Sequence, residues 1–325
     1  MIHALLSLVI FFFAASSLDA AQPTLLRIKA ATFVSHDLAA VERDYGRWLG
    51  YKVRERGKVD AQLARSWGAE RSAGRPYILM SADGDPDVFV RVVEGPAPPK
   101  GLEPLTSWGW NGIEIVVDDP VALHENFRAS PFKVIGEPAP LGAFPTIVAF
   151  QVVGPSGEAL YLTAETGDRS KSVLPSPNGE VGRVFIMVLG GPDINALLDF
   201  YSSKFTLVRN NPRMMNVGVV RRAQRLADDE MTPLATARLA ERGNLIEFDG
   251  YSPRTQARPK APGELGPGIV STTFTVADLD ALALDWLSPP RRVEGLIYQG
   301  RRAASVRGPA GELIELVEAT PPAAP

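Results

Sequence analysis

The chain has 325 residues, of which 45% are hydrophobic, 22% charged and 8% aromatic, which is enough apolar material for two ordinary cores. A formal net charge of −3 without a basic stripe argues against a nucleic-acid surface. The absence of cysteine excludes a disulfide framework, thiolate metal ligands and a lipid-modified cysteine.

The first feature in chain order is the apolar run ALLSLVIFFFAA, Ala4 to Ala15, followed by SSLDAAQPT. It is too short for a membrane span, which needs about 20 residues. It reads instead as a signal peptide over residues 1–21, with small residues at a cleavage zone near Ala20 or Ala21. The expected product is periplasmic or secreted, with no membrane contact after cleavage.

Next comes AATFVSHDLAAVERDYGRWLGYKV, Ala30 to Val53: an alternating strand, an acidic turn, then a helix of period 3.6. The same plan opens IEIVVDDPVAL (Ile113 to Leu123), RVFIMVLGGPDINALLDFYSSKFTLV (Arg183 to Val208) and TTFTVADLDAL (Thr272 to Leu282). Asp37, Asp119, Asp193 and Asp278 sit where a short acceptor satisfies the free N–H groups of a helix start. Two copies close alike, in QVVGPSGEALYLTAE (Gln151 to Glu165) and SVRGPAGELIELVEA (Ser305 to Ala319), each a G-P-x-G-E turn followed by an alternating strand. The chain is therefore four repeats of one strand–helix–strands unit.

TGDRSKSVLPSPNGE, Thr166 to Glu180, is polar and aperiodic and reads as a linker. It separates a first domain, 25–165, from a second, 181–320, and the TPPAAP tail reads as disordered. The Arg-rich segments 54–75 and 209–242 are less regular and read as helical excursions or lids over a cavity.

Four such units, opening strand-x-D-L and in places closing G-P-x-G-E-x-I-E-L, resemble the vicinal oxygen chelate superfamily, which includes glyoxalase I, bleomycin-resistance proteins and extradiol dioxygenases. The resemblance spans about 290 residues. It implies an α+β protein: two tandem glyoxalase-like domains, four βαβββ modules, with curled mixed sheets around two cavities. It leaves the reaction open, because this fold hosts isomerases, lyases, oxygenases and pure binders.

The resemblance also implies metal-ligand positions, early on each first strand and on each closing strand. They fall on Ala30, Gly112, Arg183 and Ser271, and on Arg91, Tyr161, Glu247 and Glu315. Only the two glutamates suit a metal. Beyond the leader the histidines are His36, in a turn, and His124, expected on a helix surface, and neither is at a ligand position. Iron or zinc sites want imidazole or thiolate, and a guanidinium such as Arg183 repels a cation. No metal and no other cofactor is expected.

Strand parity gives the inward-facing groups. Leu313, Glu315 and Val317 take the cavity side of the closing strand, while Ile314 and Leu316 pack beneath the helices. Arg183, Phe185 and Met187 are expected inward, as are Ser271, Thr273 and Thr275; Ala30, Thr32 and Val34; and Phe89, Arg91 and Val93. The second domain would then gather Glu247, Glu315, Arg183 and Ser271. The first would gather Arg91, Glu114 and Tyr161, with Trp108 and Trp110 nearby. Trp48, Trp67 and Trp286 read as core residues.

Two carboxylates in a semi-apolar pocket have their pKa values pushed apart, giving one acid and one base. Glu315 and Glu247 are thus candidate catalytic groups of a metal-independent lyase or isomerase, with Arg183, Ser271, Arg91, Glu114 and Tyr161 contacting substrate. The alternative is a non-catalytic protein that binds or sequesters a small molecule, as resistance proteins do, the cluster then being a structural remnant. A homodimer is compatible with either reading.

Overall fold

The computed structural model describes residues 22–142 and 144–319, so the leader and the final tail lie outside the described residues. The four units are present. The first comprises β1 (Leu25–Ser35), α1 (Leu38–Trp48), β2 (Lys52–Lys58), α2 (Ala61–Ser66), β3 (Pro76–Ser81) and β4 (Phe89–Glu94). The second has β5 (Gly109–Val117), α3 (Pro120–Phe127), β6 (Lys133–Leu141), β7 (Phe144–Val153) and β8 (Ala159–Glu165). The third has β9 (Val181–Gly191), α4 (Ile194–Phe205), β10 (Arg213–Met215), α5 (Gly218–Ala223), β11 (Thr232–Arg238) and β12 (Leu245–Gly250). The fourth has β13 (Gly268–Val276), β14 (Arg291–Arg292), β15 (Arg302–Arg307) and β16 (Leu313–Glu318).

Three of the four turn aspartates cap helices. The Asp37 side chain accepts from Ala40 N, Asp119 from Val121 N and Ala122 N, and Asp193 from Asn195 N and Ala196 N. The fourth unit departs from the plan. Asp278 accepts from Asp280 N, yet no helix follows. Leu282, Leu284 and Trp286 alternate with polar or small residues, a period of two, and Pro289-Pro290 ends the run. The segment runs as an irregular strap with tight turns at Leu279–Leu284, Leu287 N donating to Ser305 O and Arg302 bridging Asp280 and Glu318.

Two eight-stranded sheets result, in the orders β14-β15-β16-β13-β1-β4-β3-β2 and β10-β11-β12-β9-β5-β8-β7-β6. In each unit the first strand runs parallel to its closing strand, leaving one open edge. These edges join antiparallel, β1 to β13 and β5 to β9. The first unit is therefore paired with the fourth and the second with the third. The expected grouping of side chains within 25–165 and within 181–320 is corrected accordingly: each sheet takes one unit from either side of residues 166–180. Units two and three are joined by that short connection and pair directly, so the open edges of β1 and β13 are left to each other.

Sequence-adjacent units are tied in a different way. The glutamate of each G-P-x-G-E turn accepts from a backbone N–H of its own turn, Ser156 N to Glu158 and Ala310 N to Glu312. Its other oxygen accepts from a buried helix tyrosine of the preceding unit, Tyr45 to Glu158 at 2.8 Å and Tyr201 to Glu312 at 3.2 Å. Burial raises the pKa of both carboxyls to about 7 against the hydrogen bonds that favour the ionised form.

One continuous core occupies the helix side of both sheets, where Ile28, Phe33, Ile113, Phe150, Phe274 and Leu316 meet α1, α3 and α4. The opposite face of the first sheet has a separate core of Ala30, Leu79, Phe89, Val93, Leu313 and Val317, with Trp67 and Tyr298. Ile314 and Leu316 on one side of β16, and Leu313 and Val317 on the other, follow the expected parity. The parity on β9 fails. Ile115 pairs with Val184 and Glu114 with Ile186, so Phe185 is an extra, bulged residue that flips the alternation. Val184 and Met187 consequently both face the shared core, which corrects the inward placement of Met187.

Candidate functional site in the first sheet

The closing strands β4 and β16 read FVRVVE and LIELVE, each with one charged residue at an inward position. Parallel register places Arg91 beside Thr32 and Glu315 beside Thr273. The antiparallel seam between β1 and β13 then brings the two closing strands to the same face. Arg91 Nη2 lies 2.8 Å from Glu315 Oε2, with both side chains 2% exposed or less.

The rest of the pair's hydrogen-bonding capacity is largely used. Arg91 Nε donates to Thr32 Oγ1 at 3.0 Å and Nη1 donates to the Tyr298 hydroxyl at 2.6 Å. Glu315 also accepts from Trp67 Nε1 at 2.7 Å, Tyr298 Oη at 2.7 Å and Thr273 Oγ1 at 2.5 Å. The guanidinium lies over the Trp67 ring, 4.7 Å from its centre. Burial alone would raise the Glu315 pKa; the charge of Arg91 and the three side-chain donors outweigh it, and the carboxyl is held below its ordinary value. Burial would likewise lower Arg91, but Glu315 and Tyr298 more than offset it, so both partners stay charged. Glu315 is a saturated, fixed carboxylate.

Above this floor lies a cavity of about 250 Å³, walled by Leu63, Trp67, Tyr77, Leu79, Ile297 and Tyr298. Glu55, Lys58, Asp60 and Glu294 also line it. The Tyr77 hydroxyl donates to Glu55 at 2.6 Å, and Leu296 N donates to the other Glu55 oxygen at 2.8 Å. The Arg-rich segment 54–75 thus does cover a cavity. Trp67 lies in the core of this face, as expected, and also walls the cavity, and Tyr298 reaches it from the irregular turn before β15.

No family model and no curated protein matches the chain. Solved structures do. Glyoxalase I from Zea mays superposes with a TM-score of 0.58 over 90% of this chain and 92% of its own, at 16% identity. A protein of Bacillus subtilis provisionally named a dioxygenase gives 0.58 over 93% and 87%, at 15% identity. The chain has the vicinal oxygen chelate fold. At such identities the likeness speaks to the fold alone.

The sequence resemblance implies metal-ligand positions in such a cavity. In the first sheet the positions hold two threonines, a guanidinium and a carboxylate already committed to it. A cation there would sit against Arg91, and these residues do not fit a metal. Among the described residues no three His, Asp or Glu side chains form a group that would hold one. Register also moves the expected first-strand positions. Thr32 and Thr273, not Ala30 and Ser271, meet Arg91 and Glu315, and Ser271 is buried with its hydroxyl unpartnered.

The matching position in the second sheet is different. Glu114 pairs with Tyr161, and Val188 with Glu247. Glu114, Glu247 and Asp249 are brought together, and burial, followed for Glu114 and Asp249 by mutual repulsion, raises their pKa values. Thr163 donates to Glu114 at 2.6 Å, whereas both Asp249 oxygens and the hydroxyls of Tyr161 and Tyr251 lack partners. The interior is packed with Leu105, Tyr161, Val219, Val220 and Tyr251, so α5 from segment 209–242 fills this side.

Arg183 is not with these acids. It lies five residues before Val188 on β9, roughly 17 Å along the strand, and donates to the carbonyls of Val184 and Gly243 and to Asn244 Oδ1. The expected quartet of Glu247, Glu315, Arg183 and Ser271 is therefore dispersed. Arg91 joins Glu315, while Glu114 and Tyr161 join Glu247. Trp110 is buried, donating to Leu313 O, and lines a separate small pocket of about 40 Å³ with Ser107, Asn111 and Arg258, while Trp108 donates to Thr255. His124, expected on a helix surface, is buried edge-on to Phe150 with Nε2 3.0 Å from Glu137.

Proposed function

We propose that the protein binds a small organic molecule in the cavity shared by its first and last units and does so without catalysis. The observation that carries this is the cavity of about 250 Å³ over the buried Arg91–Glu315 pair. Its volume falls just below the ~300–1,000 Å³ usual for drug-sized ligands, and it combines apolar and aromatic walls (Leu63, Trp67, Leu79, Ile297) with a few polar groups, the composition of a binding pocket. Proton transfer by Glu315, the lyase or isomerase reading, asks for a carboxyl with a raised pKa and a free oxygen. Glu315 has four donors and a lowered pKa. Glu247 has the raised pKa, but in the sheet side packed by α5.

A screen of compact organic compounds by thermal stabilisation tests the proposal. Ligands should raise the unfolding temperature of the full chain, and Leu79→Trp, which fills the cavity, should abolish the shift. Equal stabilisation of the filled variant would place binding elsewhere and refute the proposal. Export belongs to the same proposal, supported by the apolar run Ala4 to Ala15 and the small residues after it. Cell fractionation checks it: a processed, periplasmic or secreted product is expected, and an unprocessed cytoplasmic one contradicts it.

A further inference from the structure

Resting on that binding reading, we infer that the cavity takes an uncharged, flat, aromatic molecule bearing a hydrogen-bond acceptor such as an amide or ketone carbonyl, in preference to a carboxylate or a cation. Three observations converge on this class.

The first is hydrogen-bond capacity. A guanidinium has five N–H groups. Thr32, Tyr298 and Glu315 take one each, so two are left on a side chain that forms the cavity floor. A ligand acceptor has donors waiting for it, and a buried donor left unsatisfied is costly.

The second is charge. Glu315 already neutralises Arg91 at 2.8 Å, so the floor has no net attraction for an anion. Of the residues lining the cavity, Glu55, Asp60 and Glu294 are acidic and Lys58 and Arg91 basic, a formal excess of one negative charge. That excess repels a carboxylate. A cation gains little, because the polar group that meets it on the floor is itself a guanidinium.

The third is shape. Trp67, Tyr77 and Tyr298 supply aromatic walls, between which a flat partner fits best.

Benzamide, benzoate and benzamidinium share one body and differ in head charge. The probe is the indole N–H of Trp67, which donates to Glu315 directly behind the floor. Its signal in an ¹⁵N spectrum of the full chain is identified by its loss in Trp67→Phe. In titrations to roughly 10 mM, benzamide should saturate the shift at about fivefold lower concentration than either charged analogue. Benzoate or benzamidinium binding as tightly as benzamide overturns the ligand class while leaving binding intact. A Trp67 signal unmoved by all three overturns the binding reading itself. Glu294→Lys supplies an independent arm, since Glu294 is exposed and removing it breaks no hydrogen bond of the floor. It should improve benzoate relative to benzamide by about threefold, and an unchanged ratio overturns the charge argument.

Discussion

Arg91 occupies one of the positions where the sequence resemblance implies a metal ligand, and its consequences are those of a buried charge. Removing one member of such a pair leaves the other ionised in a dry interior and costs about 3–5 kcal/mol. Arg91→Met should lower the unfolding free energy by that order, measured by denaturant titration. Because the loss is mostly the stranded carboxylate, Arg91→Met combined with Glu315→Gln should cost less than the two single changes added together. Strict additivity would mean that the two groups are not coupled. Glu315 and Arg91 were legible in the sequence because each is the one charge on the inward face of an alternating strand. Trp67, four positions after Leu63 at the end of α2, was legible only as a core residue, and Tyr298 was not legible, since its segment has no periodicity to say which way a side chain points. His124 misled because one imidazole on a helix has the same sequence signature whether it faces solvent or Phe150.

Strand–Asp–helix boundaries were legible because a capping aspartate and a change of period from two to 3.6 are local signals. They failed once, after Asp278, where the alternation of Leu282, Leu284 and Trp286 is the stronger signal and an irregular strap results. The bulge at Phe185 has no local signature, yet it decides which residues of β9 face the core. The G-P-x-G-E repeat proved to be a fastening between units. Tyr45→Phe and Tyr201→Phe each delete one buried hydrogen bond to its glutamate and should cost about 1 kcal/mol apiece. The two sites lie in different units and share no partner, so thermal unfolding of the double variant should show the sum of the single shifts. A larger loss would show that the fastenings cooperate.

For the molecule as a whole, the pairing of first unit with last could not be read locally, because it depends on which open sheet edges remain after units two and three have joined. The same assembly buries acids with little compensating charge, Arg307 acting on Glu312 only as the weakest of several opposing influences. Glu158 and Glu312 have folded pKa values raised to about 7, and those of Glu114, Glu247 and Asp249 are raised too. A raised acid binds its proton more tightly when folded. Its stabilisation is complete below the ordinary value of 4.5 and is lost as pH rises through the folded value. Glu315 acts in the opposite sense, its contribution being lost as pH falls below the ordinary carboxylate range. The chain should therefore unfold at lower denaturant concentration at pH of about 8 than at about 5, and a midpoint that rises across that interval would contradict the burial of these acids. Everything proposed for the cavity depends on Glu315 being a fixed anion that holds Arg91 in place. The most direct test is a ¹³C titration of the assigned Glu315 carboxyl in the intact protein. No titration step should appear between pH of about 4.5 and 8, whereas a step near neutrality would show a proton-carrying carboxyl and contradict the account.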